Sequence, residues 1–324
     1  MDVKVRGLEQ GDLDEADRIL RMAFGTFLGL PDPLKMFGDG DYVRTRWRAD
    51  RDAALAAELE GRLVGSNFAA NWGSIGFFGP ISVSPELWNR GVAKRLLEAT
   101  MALFAKWGTV HAGLCTFPHS AKHAALYQKF GFWPRFLTAV MSKPVQPPAK
   151  PAVFAKFSQA SEDQKRRWIA ECRKLTNAIF EGLDVAIEIE SVARQGLGET
   201  ILVTEGSKLS GVAVCHMGVG TEAGTGEGIG GGLSGKETCY VKFGAVRPGP
   251  MAASDFAGLL DACEALAAER GVSCLAAGTN LARHETYRTM IGRGFRTDLQ
   301  LLSMHQDNAP GYDRPGIFVL DDWR

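Results

Sequence analysis

The chain has 324 residues, enough for two domains with a core each. Lysine plus arginine equals aspartate plus glutamate at 37 each, so no global charge points to nucleic acid or to an anionic membrane. Met1-Asp-Val-Lys-Val-Arg6 lacks a signal-peptide core, and no apolar run is long enough to span a membrane. The six scattered cysteines form no C-x-x-C pair; free thiols, no metal and a reducing cytoplasm are expected.

Val3–Gly7 reads as a first strand. Asp12-Leu-Asp-Glu15 reads as a capping box, followed by a helix with Leu13, Ala16, Leu20 and Ala23 on its buried stripe. Phe24–Asp41 mixes glycines and prolines with Phe24, Phe27, Leu28, Leu30, Leu34, Met36 and Phe37. It is either packing under a long loop or one wall of a substrate pocket. Tyr42–Asp52 reads as a charged helical turn. Strands follow at Ala54–Glu60, Leu63–Trp72 and Ile75–Val83, the first two joined by a turn at Gly61-Arg62.

Ser84-Pro85 ends the third of these, because proline offers no N–H and restricts the residue before it. Gly91 turns the chain into a helix, Gly91–Trp107, with Val92, Leu96, Thr100, Leu103 and Trp107 at helical spacing. A turn rich in unpaired N–H groups at a helix start suits an anion, and Arg90, Lys94 and Arg95 add positive charge. A strand His111–Phe117 follows, then a helix Ser120–Phe130 with Ser120 as its expected cap, and a last strand to about Met141.

Residues 143–152 are proline-rich and read as a linker. Beyond them the pattern repeats. Ser161-Glu-Asp-Gln164 is again a capping box. Leu59–Gly65 matches Glu205–Gly211 at an offset of 146, and from Val83 onward the offset is 163 without a gap. Val83-Ser-Pro85 becomes Val246-Arg-Pro248, and Gly131-Phe132 becomes Gly294-Phe295. Two copies of one domain are therefore expected, 1–142 and 153–324. The jump in offset marks a glycine-rich insertion at 218–235, expected to be a flexible loop.

The order of elements in 3–142, the Trp88-Asn-Arg-Gly-Val-Ala93 turn and the closing Leu126-Tyr-Gln-Lys-Phe-Gly-Phe132 resemble the GCN5-related N-acetyltransferase (GNAT) superfamily, in a tandem member. The resemblance implies an α/β (α+β) fold: two domains, each a mixed, twisted sheet flanked by helices and splayed between its fourth and fifth strands. It implies that the turn holds the pyrophosphate of acetyl-CoA, or of another acyl-CoA, on Asn89, Arg90, Gly91, Val92, Ala93 and Lys94. Trp88 departs from the Gln or Arg usual in that pattern. The resemblance also places the pantetheine arm along the edge of Ile81, Ser82 and Val83, with Ser120 and His123 nearby. Tyr127 stands where the family often has a tyrosine that gives a proton to the leaving thiolate; a phenol, protonated at neutral pH, suits that task.

The expected function is acetyl transfer to a small-molecule or peptide amine by direct attack on the thioester. A non-catalytic acyl-CoA-binding protein and an O-acyltransferase stay open. The base is open between Glu58, Asp32 and a water chain, with His119 and His123 close to the tyrosine. At the offset of 163, Asn89-Arg90-Gly91 become Ala252-Ala253-Ser254, Ala93 becomes Phe256 and Tyr127 becomes Met290. The second copy is thus expected to keep the fold without the cofactor site, to buttress the first copy and to shape the acceptor site or a homodimer.

Overall fold

The computed structural model of the chain describes residues 2–146, 152–206, 208–227 and 232–324. Part of the expected linker (147–151) and part of the expected insertion (228–231) lie outside the described residues.

The first half runs β1 (Lys4–Gly7), α1 (Leu13–Phe27), α2 (Tyr42–Ala49), β2 (Ala54–Leu59), β3 (Arg62–Trp72), β4 (Ile75–Val83), α3 (Val92–Trp107), β5 (His111–Thr116), α4 (Ala121–Gln128) and β6 (Phe132–Pro144). The second runs β7 (Ala155–Lys156), α5 (Glu162–Ile179), α6 (Ala186–Gln195), β8 (Gly198–Glu205), β9 (Lys208–Met217), β10 (Thr238–Val246), α7 (Ala252–Glu269), β11 (Cys274–Asn280), α8 (His284–Gly292), β12 (Arg296–Gln306) and β13 (Val319–Leu320). The repeat is visible in the hydrogen-bond register. Ile75 pairs with His111 in parallel, and Thr238 pairs with Cys274 in parallel, the same pair at the 163-residue offset.

Local signals differ in small ways from expectation. Ser161 accepts from Gln164 N–H and caps α5 as expected. Asp12 does not cap α1; its carboxylate is taken by Arg6 and by the Glu9 N–H, so it closes the preceding turn. Lys143 and Pro144, read as linker, are the end of β6, where they pair with Leu275 and Cys274.

The two halves exchange their long closing strands. The sheet order is β1-β2-β3-β4-β5-β12-β6-β11-β10-β9-β8-β7, with β13 beside β10. β12 of the second half thus lies against β5 of the first, and β6 of the first lies against β11 of the second. The cores follow: Met304 and Leu301 of β12 are buried with first-half side chains, and Ala139 and Met141 of β6 with second-half ones. A fully buried methionine contributes roughly 1.5–3 kcal/mol. Exchange therefore ties the halves by apolar burial as well as by ladder hydrogen bonds.

The described part of the glycine-rich insertion is packed, contrary to the expectation of a flexible loop. Thr221, Glu222, Ala223 and Thr225 are buried, Asp39 accepts hydrogen bonds from Ser234, Gly235 and Lys236, and Asp41 N–H donates to Thr221 O. A Cβ on Gly224 would run into the Asp39 carboxylate and the Gly40 backbone, and one on Gly226 into the Phe37–Gly38 backbone. These glycines serve close approach of two stretches of the same chain.

Two histidines in this interior are held neutral. Burial, the main cause, pushes both His111 and His216 down to about 4. An unfolded histidine titrates near 6.5, so the unfolded chain binds more protons between those values. Stability is fully present above about pH 6.5 and is lost as pH falls towards 4, by up to about 1.4 kcal/mol per pH unit for each histidine. Thermal melts should show a steep fall in Tm below pH 6.5; a level Tm from pH 7 to 4.5 contradicts this.

Candidate active site

β4 and β5 pair only over Ile75–Phe77 and His111–Gly113. At Gly79 and Pro80, β4 bulges: these two residues oppose the single Phe68 of β3, since Asn67 faces Ile81 and Ala69 faces Phe78. The bulge bends β4 away from β5 and opens a cavity of about 820 Å³ between them.

The cavity gathers Ile81, Ser82, Val83, Asn89, Gly91, Val92, Ala93, Lys94, Ser120, His123 and Tyr127. Arg90, expected with them, is exposed and lies outside its lining. Lys94 and Arg95 are exposed and pair with Glu98.

The turn fits a phosphate group. Gly91 caps α3 with φ +85° and Asn89 has φ +65°, a left-handed sequence that points successive N–H groups the same way. No side chain caps α3, and among the described residues the N–H groups of Gly91, Val92, Ala93 and Lys94 have no acceptor. Trp88 has a local task. Its indole N–H donates to Val83 O at 2.8 Å, and Lys122 lies over its ring. The Val83 carbonyl is therefore already satisfied, and the free part of the β4 edge shortens towards Ile81 and Ser82.

α4 supplies the opposite wall. Ser120 makes no capping bond, contrary to expectation, and stays in the lining. Tyr127 is buried edge-on to Phe78 at 5.8 Å between ring centroids. Burial pushes its phenol up to about 12. His123, one turn before it, is held below the usual imidazole range by burial, Lys122 and His119. Phe27 stacks on His119 at 5.5 Å and lies 5.0 Å from His123; Phe24 and Phe117 continue this wall. Phe24 and Phe27 thus line the cavity, while Met36 and Phe37 of the same stretch are buried in the core, as the packing alternative has it.

Neither carboxylate considered as a base reaches the cavity. Glu58 is held by Arg6 across β1 and β2, and Asp32 accepts from Leu34 N–H in a surface turn. No carboxylate is among the lining residues.

The equivalent cleft of the second half is filled by the chain itself. Ile81, Ser82 and Val83 correspond to Gly244, Ala245 and Val246. Leu320 pairs with Gly244, Val319 pairs with Ala245, and Val246 N–H donates to Phe318 O. Arg283, at the position of Ser120, is buried against Asp321 at 2.7 Å and Asp313 at 3.3 Å. Nothing in the sequence marked this segment, because a two-residue strand carries no period.

Residues 19–132 match the family model described as acetyltransferase (GNAT) family. This part of the chain is similar to the GNAT acetyltransferase family. No curated protein matches the chain in sequence. Among solved structures it is similar to a putative acetyltransferase from Pyrococcus horikoshii, with a TM-score of 0.67, 12% identity, and 99% of this chain and 95% of that one covered. It is also similar to a GCN5-related N-acetyltransferase from Sphaerobacter thermophilus, with a TM-score of 0.54, 13% identity and coverage of 95% and 96%. A third is a probable N-acyltransferase from Enterococcus faecalis, with a TM-score of 0.52, 11% identity and coverage of 95% and 74%. At these identities the likeness is one of fold, and it extends over both GNAT-like halves. Among the described residues no helix is long and apolar enough to cross a membrane, and all six cysteines are free.

Proposed function

We propose that the chain transfers an acetyl group from acetyl-CoA to an amine, using the cavity of the first half. The observation that carries this reading is the contrast between the two clefts. One is open and ends in a turn of unpaired N–H groups; the other is closed by Val319 and Leu320. Bound acetyl-CoA would supply an activated thioester. Gly91–Lys94 would hold its phosphates on backbone N–H groups, and the Ile81–Ser82 edge would pair with the amide-bearing arm as an added strand. Tyr127, kept protonated by burial, donates a proton to the departing sulfur. His123, kept neutral, accepts one from the amine. Phe24, Phe27 and Phe117 face the acceptor, so an amine with an apolar or aryl body fits better than a polycation. Six free cysteines suit work in a reducing cytoplasm.

Calorimetry tests the reading. Acetyl-CoA should bind with one equivalent per chain. Gly91→Glu should weaken binding at least about 100-fold, because it puts a β-carbon on a left-handed position and a carboxylate where phosphate would lie. No binding by wild type, or equal binding by Gly91→Glu, sinks the proposal.

A further inference from the structure

A buried ionic network joins the second half to the β4 bulge. Arg46 of α2 donates from Nε to Glu222 Oε1 at 2.9 Å and from Nη1 to the carbonyl of Gly79 at 3.1 Å. Glu222 lies in the packed part of the glycine-rich insertion. Lys242 of β10 donates to its other oxygen at 2.8 Å and lies 3.3 Å from Glu188. Trp72 of β3 closes the chain by donating to Glu188 at 3.0 Å. Arg46 and Glu222 are both almost fully buried.

Such a network is a poor device for mere cohesion, since stripping water from charges offsets much of their attraction. The exchanged strands already join the halves with apolar side chains. What a buried guanidinium adds is direction, because its planar fork can serve a carboxylate and a carbonyl at once. The carbonyl it serves is at an interrupted stretch of ladder. Past Phe77, β5 no longer pairs with β4, and Pro80 has no N–H to offer β3. The Gly79 carbonyl would otherwise swing with the bulge, and the bulge sets the line of the Ile81–Ser82 edge that follows.

We propose that Arg46 is a positioning residue for the β4 bulge, aimed by Glu222, so that the second half shapes the deep end of the first half's site. The proposal rests on the acyl-CoA reading for its consequence, and on the geometry alone for the clamp. Arg46→Lys keeps the charge opposite Glu222 but cannot also reach Gly79; Glu222→Gln keeps the shape and removes the charge that aims the guanidinium. Amide hydrogen exchange without any ligand reads the clamp. Exchange over 77–83 should rise by about tenfold or more in either variant, the equivalent of one lost charge-assisted hydrogen bond, while that over 209–215 stays unchanged. Unchanged exchange at 77–83, or an equal rise everywhere, overturns the clamp.

Acetyl-CoA labelled with carbon-13 at the thioester carbonyl reads the consequence. Wild type and Arg46→Lys should bind it with affinities within a few-fold of each other, because the phosphate turn is at the far end of β4. Their bound carbonyl resonances should differ. Identical resonances, or affinity lost in step with Tm, overturn the positioning role. Absence of binding by wild type would instead overturn the acyl-CoA reading, and the exchange measurement would still decide the clamp.

Discussion

Deleting residues 317–324 is expected to abolish the fold and not to uncover a second acyl-CoA site. Ile317, Phe318, Val319, Leu320 and Trp323 are all buried. At roughly 1.5–3 kcal/mol for each such side chain, their loss amounts to on the order of 10 kcal/mol. That is comparable with the whole net stability of a typical domain, about 5–15 kcal/mol. The segment also crosses both halves. Val319 and Leu320 lie in the second cleft, while Trp323 stacks on Phe77 with ring centroids 5.7 Å apart and covers Gly113, where a Cβ would overlap its ring. Tyr312 and Arg283 would lose the Asp321 carboxylate, leaving a buried guanidinium with less compensation. Soluble yield and calorimetric unfolding check the first claim. The milder Leu320→Ala should stay folded, lose about 2–5 kcal/mol and still bind one equivalent of acetyl-CoA. A truncated chain that melts like wild type, or either variant binding a second equivalent, refutes the idea that this segment is a structural plug.

Much of each half was legible in the sequence. Strands such as Ile75–Val83 and helices such as Val92–Trp107 announce themselves by period and by the punctuation of Pro85, Gly91 and Gly108. The repeat was legible because turn and core positions keep a fixed spacing even where the site residues have gone. Strand exchange was not, since β6 and β12 look alike and nothing local says which partner each takes. The insertion misled because glycine has two meanings, freedom and close approach, and composition cannot separate them. Arg46 sits in a stretch that reads only as a charged helical turn; its partners Glu222, 176 residues away, and the Gly79 carbonyl hold it in the interior. The site divides in the same way. Backbone chemistry at Gly91 demands particular residue types and can be read; a proton acceptor can come from several elements, and the carboxylates chosen for it had local partners instead.

Tyr127→Phe should leave acetyl-CoA binding within about twofold of wild type and lower turnover about 100- to 1,000-fold, within the usual range for loss of a general acid. The ring stays, so its contacts with Phe78 and the surrounding core persist; only the hydroxyl goes. The acidity of the leaving thiol separates acid catalysis from a packing defect. Burial raises the phenol to about 12, so in wild type it remains a donor across the physiological range and beyond. The sulfur departs as the same thiolate at any bulk pH, so what the donor contributes depends on the donor's own protonation and on the acidity of the leaving thiol. The deficit of Tyr127→Phe should therefore stay constant from about pH 5.5 to 10 with acetyl-CoA and shrink with an acetyl thioester of a more acidic thiol. His123 shapes the pH profile: burial lowers its value and keeps it neutral at pH 7, so its part in the rate should be lost only as pH drops below about 6.5, and equally in both proteins. Rates measured from pH 5.5 to 10 with a saturating aryl-alkyl amine, and with both thioesters, test this. An unchanged rate removes Tyr127 from the mechanism, and a deficit just as large with the more acidic thiol assigns it to packing.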